Sequence, residues 1–215
     1  MTFHPIGVVV MISGPGDTSS EVQIVREEIA AWNSKHSVTQ GVVFIPKHFS
    51  TNTVPIYRRG SDGQAVINEQ VTNDSDIVVA LFKHRLGTPT PRNSKSGTVE
   101  EADIKEADGT VHVYFWGGDV PQEVARGDEW KRLEAFRDEF HANERGLYAS
   151  YESHDDLREQ VERALWDDAR SIAATVPAGT ASVERAVEEP VNLPAATTAT
   201  RDVEVSVELE ATVWF

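Results

Sequence analysis

Ile6-Gly7-Val8-Val9-Val10-Met11-Ile12, followed at once by Ser13-Gly14-Pro15-Gly16-Asp17, is the stretch on which the fold turns. Residues 7–12 form a continuous apolar run rich in β-branched side chains, and such a run ending in a Gly/Pro turn reads as a strand buried on both faces. A strand of that kind belongs in a parallel sheet covered by helices, because a half-exposed antiparallel strand alternates apolar and polar residues instead. The turn feeds a helix over residues 17–34, in which Val22, Val25, Ile29 and Trp32 recur at helical spacing. Thr18 and Glu21 have the spacing of a capping box at its start.

The alternation continues outward from there. Residues 42–45, 77–82, 111–116 and 147–151 read as strands, and residues 64–72 and 98–107 as helices. Trp130, Leu133, Phe136 and Phe140 mark a strongly amphipathic helix, and Leu157, Val161, Leu165 and Ala169 a last one that Ser153 and Asp156 cap. Strands that alternate with helices need parallel neighbours joined by helical crossovers. The expected class is α/β: a five-stranded parallel, flavodoxin-like sheet with helices on both faces.

Beyond about Ile172 the chain becomes rich in Ala, Thr, Pro and Val, the composition of a linker. Val203, Val205, Val207, Leu209, Ala211 and Val213 then alternate with polar residues such as Glu204, Glu208 and Glu210. The expected organisation is a main domain over residues 1–172, a linker over 173–200 and a strand over 201–215. That strand is either a strap on the main domain or, as we favour, the opening strand of a second domain.

With 215 residues and 40% hydrophobic content, the chain buries one full core. It has no cysteine, which excludes disulfides and thiolate chemistry and suits a reducing cytoplasm. The apolar run at residues 6–12 is too short to span a bilayer and lacks the flanks of a signal peptide. We therefore expect a cytoplasmic protein with no membrane partner. A net charge of −15 repels a nucleic-acid backbone, so DNA and RNA are disfavoured as partners.

In an open parallel sheet, ligands bind beyond the carboxyl ends of the strands where strand order reverses. For a flavodoxin-like order this places loop 13–17 opposite loop 83–96. Gly14 and Gly16 allow close backbone approach, and the helix that follows offers free amides to an anion; a plain tight turn accounts for the same residues. Lys83, Arg85, Arg92 and Lys95 fall in a segment without acidic residues, and Arg58 and Arg59 point to the same edge. Such a basic rim suits a phosphorylated ligand, and each of these cations taken singly also reads as solvated surface.

Ser96-Gly97-Thr98-Val99-Glu100-Glu101 puts two carboxylates in a helix's first turn at the same mouth. Thr98 with Glu101 fits a capping box, and glutamate in a first turn is favoured by the helix dipole, so a capping role stands beside a catalytic one. The seven histidines lack metal-ligand spacing, and neither a phosphate loop ending in Lys and Ser/Thr nor a serine or cysteine nucleophile motif is present.

Ile12-Ser13-Gly14-Pro15-Gly16-Asp17, Asn68-Glu69-Gln70, Asp76-Ile77-Val78-Val79-Ala80-Leu81-Phe82, Arg85-Leu86-Gly87-Thr88-Pro89-Thr90 and Ser96-Gly97-Thr98-Val99-Glu100-Glu101 together resemble the TIR-like (Toll/interleukin-1 receptor-like) domains of bacterial antiphage defence proteins. Those domains are in turn similar to nucleoside 2-deoxyribosyltransferases. The resemblance runs from about Ile6 to Ala169. It implies cleavage of the N-glycosidic bond of NAD⁺, as substrate and not as cofactor, with release of nicotinamide.

In the deoxyribosyltransferase pattern Gly-Thr-x-x-Glu supplies the catalytic glutamate, which corresponds to Glu101, with Glu100 as second candidate. The Asp that precedes it in that pattern is Lys95 or Ser96 here, which argues against nucleoside base exchange. The resemblance further implies substrate contacts from Ser13, Gly14, Pro15, Asp17, Arg85, Gly87, Thr88, Ser96, Gly97 and Thr98, with Phe82 or Trp116 stacking on a ring. It also implies an effector activated by self-association, with a sensor domain or an activating ligand as partner. Two rival readings are a nucleoside or nucleotide deoxyribosyltransferase and a non-catalytic interaction module in which Glu101 is a helix cap.

Overall fold

In a computed structural model, residues 2–57, 59–93, 95–107, 109–142 and 147–175 are described. The apolar run forms β1 (Ile6–Ser13), and a short 3₁₀ turn, Gly16–Thr18, leads into α1 (Ser19–Gln40). Next come β2 (Val42–Lys47), the one-turn α2 (Phe49–Asn52) and α3 (Gly63–Ile67), which passes directly into a π-helical turn, Asn68–Thr72. The remainder is β3 (Ile77–Phe82), α4 (Gly97–Glu106), β4 (Thr110–Trp116), α5 (Gln122–Ala125), α6 (Asp128–Ala142), β5 (Ala149–Tyr151) and α7 (His154–Thr175). All four pairings are parallel and the order is β2-β1-β3-β4-β5, the flavodoxin-like arrangement.

Alternation along the central strands divides the core in two. Ile77, Val79 and Leu81 of β3 face one way, with Val8, Val10 and Ile12 of β1, and meet Val25, Ile29 and Trp32 of α1 and Leu157, Val161 and Leu165 of α7. Val78, Ala80 and Phe82 face the other way and meet Val99 of α4 and Leu133, Phe136 and Phe140 of α6. Every residue of β3 is buried, as a strand between two helical layers requires. The helical spacing of both amphipathic helices is therefore the spacing of their buried stripes.

Several local expectations are corrected. The capping box of α1 does not form: the Thr18 hydroxyl donates to the Pro15 carbonyl at 2.7 Å, and Glu21 turns inward to a lysine. The helix expected over 64–72 is α up to Ile67 and π beyond it. β5 starts at Ala149, leaving Leu147 almost fully exposed. The cap of α7 is as expected, Ser153 Oγ accepting from Asp156 N at 3.1 Å, and α7 runs to Thr175, past the boundary at 172. The linker beyond Thr175 and the strand over 201–215 lie outside the described residues, as does Arg58. Among the described residues no helix is long and apolar enough to cross a membrane.

Candidate functional site

The reversal of strand order falls between β1 and β3, and there the loops that follow them meet. Asp17 fastens them together, its Oδ2 accepting from His84 N at 2.9 Å. Arg132 of α6 holds the far side of the second loop by donating to the carbonyls of Gly87 at 3.2 Å and Lys95 at 2.6 Å. The two loops enclose a cleft of ≈ 270 Å³. Ser13, Gly14, Pro15, Arg85, Gly87, Thr88, Ser96, Gly97, Thr98 and Glu101 line it, together with Gly16, Phe49, Gln64 and Ile67.

One glycine is required by close approach. A Cβ on Gly14 would stand 2.2 Å from Thr18 Oγ1 and 3.1 Å from the Leu81 carbonyl oxygen, so β1 and β3 approach here only with glycine at this position. A Cβ on Gly97 would stand 2.2 Å from Gln64 Oε1, so a side chain there would displace the end of Gln64, which holds Glu101.

The two glutamates at the start of α4 have different surroundings. Ser96, not Thr98, caps the helix, its Oγ accepting from Val99 N at 3.2 Å, which frees Glu101 from the capping role. Glu101 is 3% exposed and accepts from the Ser13 hydroxyl through Oε2 and from Gln64 Nε2 at 2.6 Å through Oε1. Burial pushes its carboxyl up to about 7 against those two hydrogen bonds, and the neighbouring Glu100 charge adds to the rise. It is a carboxylate on the cleft floor, held by both oxygens and poised between its two protonation states near neutral pH.

Glu100 points away from the cleft. It accepts from the Thr90 hydroxyl, from Arg92 Nε at 2.7 Å and from Asn68 Nδ2 at 2.6 Å. Burial alone would raise its carboxyl, but the hydrogen bonds from Thr90, Arg92 and Asn68 outweigh it and keep the group below the ordinary glutamate value. Glu100 ties loop 83–96 to the π turn. It does not line the cleft.

The basic rim is corrected in the same terms. Lys83 pairs with the fully buried Glu21 at 2.7 Å, Lys95 with Glu139 at 2.7 Å, and Arg92 grips Asp62 with both terminal nitrogens, at 2.6 and 3.0 Å, besides its bond to Glu100. These cations neutralise nearby carboxylates and hold the loop. Arg85 is exposed, lines the cleft and makes no ion pair among the described residues. Arg59 is exposed and is not among the lining residues.

Neither expected stacking residue reaches the cleft. Phe82 is 1% exposed, its ring stacked on Phe115 at 5.2 Å and 19° inside the core. Trp116 packs on Tyr151 at 5.4 Å, donates through Nε1 to the Asp119 carbonyl and lies under Lys83 Nζ. Asp17 is a clasp between loops and does not line the cleft. Sequence reasoning missed Gln64, Ile67 and Phe49. Gln64 and Asn68 stand four apart, on one helical face, and the Gln64 amide donates to Asn68 Oδ1 at 3.0 Å. That paired-amide spacing was the available signal. Among the described residues no cluster of His, Asp and Glu is arranged to hold a metal ion.

A family model described as "Domain of unknown function (DUF4062)" matches residues 10–166. No curated protein matches the chain. Among solved structures it is similar to a short-chain flavodoxin associated with a non-canonical PDU bacterial microcompartment, at 13% identity and TM-score 0.35, covering 75% of this chain and 98% of that one. It is also similar to the flavodiiron protein from Giardia intestinalis, at 14% identity and TM-score 0.38, covering 80% of this chain and 37% of that one. A third similarity is to the azoreductase from Bacillus anthracis str. Sterne, at 14% identity and TM-score 0.34, covering 79% of this chain and all of that one. None of the three carries a ligand or an activity over to this chain.

Proposed function

We propose that this chain, which belongs to the DUF4062 family of domains of unknown function, is an N-glycosidic hydrolase that cleaves NAD⁺ to nicotinamide and ADP-ribose. One observation carries the reading: Glu101, buried at the floor of the crevice where strand order reverses, is fixed by Ser13 and Gln64 through both carboxylate oxygens. The resemblance to TIR-like defence domains supports the same assignment, as does the similarity of those domains to nucleoside 2-deoxyribosyltransferases, in whose Gly-Thr-x-x-Glu pattern the catalytic glutamate corresponds to Glu101.

The chemistry asks little of the protein in proton transfer. Nicotinamide departs from a cationic glycosidic nitrogen as a neutral molecule, taking the bonding electron pair, and water supplies the hydroxyl of the ADP-ribose product while releasing one proton. The barrier lies in positive charge gathering on the ribose carbon. An ionised carboxylate that is itself buried stabilises that charge, and its two donors keep it from rotating away. Arg85, the exposed cation at the rim, is placed to meet a phosphate. Activation by self-association, with a neighbouring copy completing the site, is part of the same proposal and follows from the resemblance.

Chromatography of NAD⁺ incubated with the protein at high local concentration tests the proposal. Wild type releases nicotinamide, and Glu101→Gln loses at least about a hundredfold in rate, the usual scale for removing one charge-stabilising group. An equally active Glu101→Gln variant with an intact fold overturns it. Consumption of deoxynucleosides instead of NAD⁺ favours the deoxyribosyltransferase reading, which the loss of the motif's Asp at Lys95 or Ser96 speaks against.

A further inference from the structure

Among the described residues that line the cleft, Phe49 alone is aromatic. It is 37% exposed, so the protein covers it only in part. Its surroundings are built to hold it there. His48 and Phe49 lie with ring centroids 4.4 Å apart, so the imidazole backs the phenyl ring. His48 is 9% exposed, and burial, with Arg26 nearby, lowers its basicity to about 4, so it meets the phenyl ring as a neutral imidazole.

The backbone under Phe49 is fixed as well. His48 caps α2 through its ring, its amide donates to Asn52 Oδ1 at 2.9 Å, and its carbonyl accepts from Thr51 and Asn52 at 3.1 and 2.9 Å. The Phe49 carbonyl accepts from Thr53 N at 3.2 Å and from the Thr53 hydroxyl at 2.6 Å. A one-turn helix so fastened presents its aromatic ring before any ligand arrives, which reduces the ordering cost of binding. The rest of the cleft sorts by chemistry: Pro15 and Ile67 extend the apolar wall, Ser13, Gln64 and Glu101 make the polar floor, and Arg85 stands at the rim.

We propose that Phe49 is the stacking wall of the cleft and selects substrates whose leaving group is a planar heteroaromatic base. The proposal rests on the N-glycosidase reading for the word "leaving group"; the stacking itself does not depend on turnover. It places the base against Phe49 and the sugar toward Glu101, so a saturated ring of the same size loses the face-to-face contact while keeping its amide.

The test is binding of nicotinamide and of cyclohexanecarboxamide, neutral rings with the same carboxamide, to the full-length chain, followed by proton NMR. With wild type, nicotinamide ring protons shift upfield and nicotinamide binds more tightly than the saturated amide. Phe49→Leu is expected to bind nicotinamide about tenfold more weakly, to abolish the upfield shift and to erase the preference for the planar ring, while Phe49→Trp retains all three. Wild type without an upfield shift, or Phe49→Leu with unchanged affinity and shifts, overturns the proposal; circular dichroism verifies that each variant is folded. Nicotinamide release from NAD⁺ is measured in parallel, so that stacking without cleavage refutes the hydrolase reading and spares this one.

Discussion

Glu101 and Glu100 are adjacent in sequence and opposite in chemistry because their side chains leave α4 about a hundred degrees apart. One enters a cleft with two uncharged donors, the other a knot with a guanidinium. The raised Glu101 carboxyl yields a prediction in two readouts. On the proposed mechanism cleavage needs the ionised form, so the rate is expected to rise with pH, about tenfold per pH unit below neutrality, and to level off above about 7. Stability runs the other way. Glu101 binds its proton more tightly folded than unfolded, so its contribution is complete below the ordinary 4.5 and is lost as pH climbs through about 7. The gap corresponds to about 3 kcal/mol, and urea denaturation at pH 4.5 and pH 8 measures it. Glu101→Gln removes this pH dependence; an equal dependence in the variant would assign it elsewhere.

At the scale of elements, α4 and loop 83–96 form one unit through Glu100. Its three partners come from the loop (Thr90, Arg92) and from the π turn (Asn68), so a buried charge joins the loop to the π turn. Glu100→Ala leaves Arg92 Nε and Asn68 Nδ2 without their acceptor, although Arg92 keeps Asp62, and is expected to cost about 1–3 kcal/mol, read as a lowered midpoint in thermal or urea unfolding. Glu101→Gln, which keeps a hydrogen-bonding side chain, is expected to be far milder. Destabilisation by Glu100→Ala no larger than that of an exposed substitution would show that loop 83–96 is anchored chiefly by Arg132. Asn68 reaches Glu100 while Gln64, one α-helical turn earlier on the same face, reaches Glu101.

For the molecule as a whole, the two helical layers on β3 set what the cleft is made of. Phe82 ends the central strand, and strand alternation sends its ring into the α4–α6 layer, where Phe115 and Phe136 surround it. Phe82→Ala is therefore expected to lower stability by about 3–5 kcal/mol, whereas Phe82→Leu leaves nicotinamide binding unchanged. Altered nicotinamide affinity in a folded Phe82→Leu variant would show that the residue reaches the ligand.

Much of this was legible beforehand. Val8, Val10 and Ile12 announced a doubly buried strand, the spacing of Trp130, Leu133, Phe136 and Phe140 announced a helix packed by one face, and parallel strands with helical crossovers placed the crevice between loops 13–17 and 83–96. These features are local, because periodicity is set by backbone geometry and the hydrophobic effect and repeats every two or 3.6 residues. What only the tertiary structure decided is who meets whom across long separations. Ser13 and Gln64 converge on Glu101 from 88 and 37 positions away, Glu21 neutralises Lys83 from 62, and Phe49 closes a cleft whose other wall lies beyond β3. A charge pattern read along the chain counts Lys83, Arg92 and Lys95 as a basic rim. In three dimensions carboxylates from other elements cancel it, since Coulomb attraction acts through space and takes no account of sequence order.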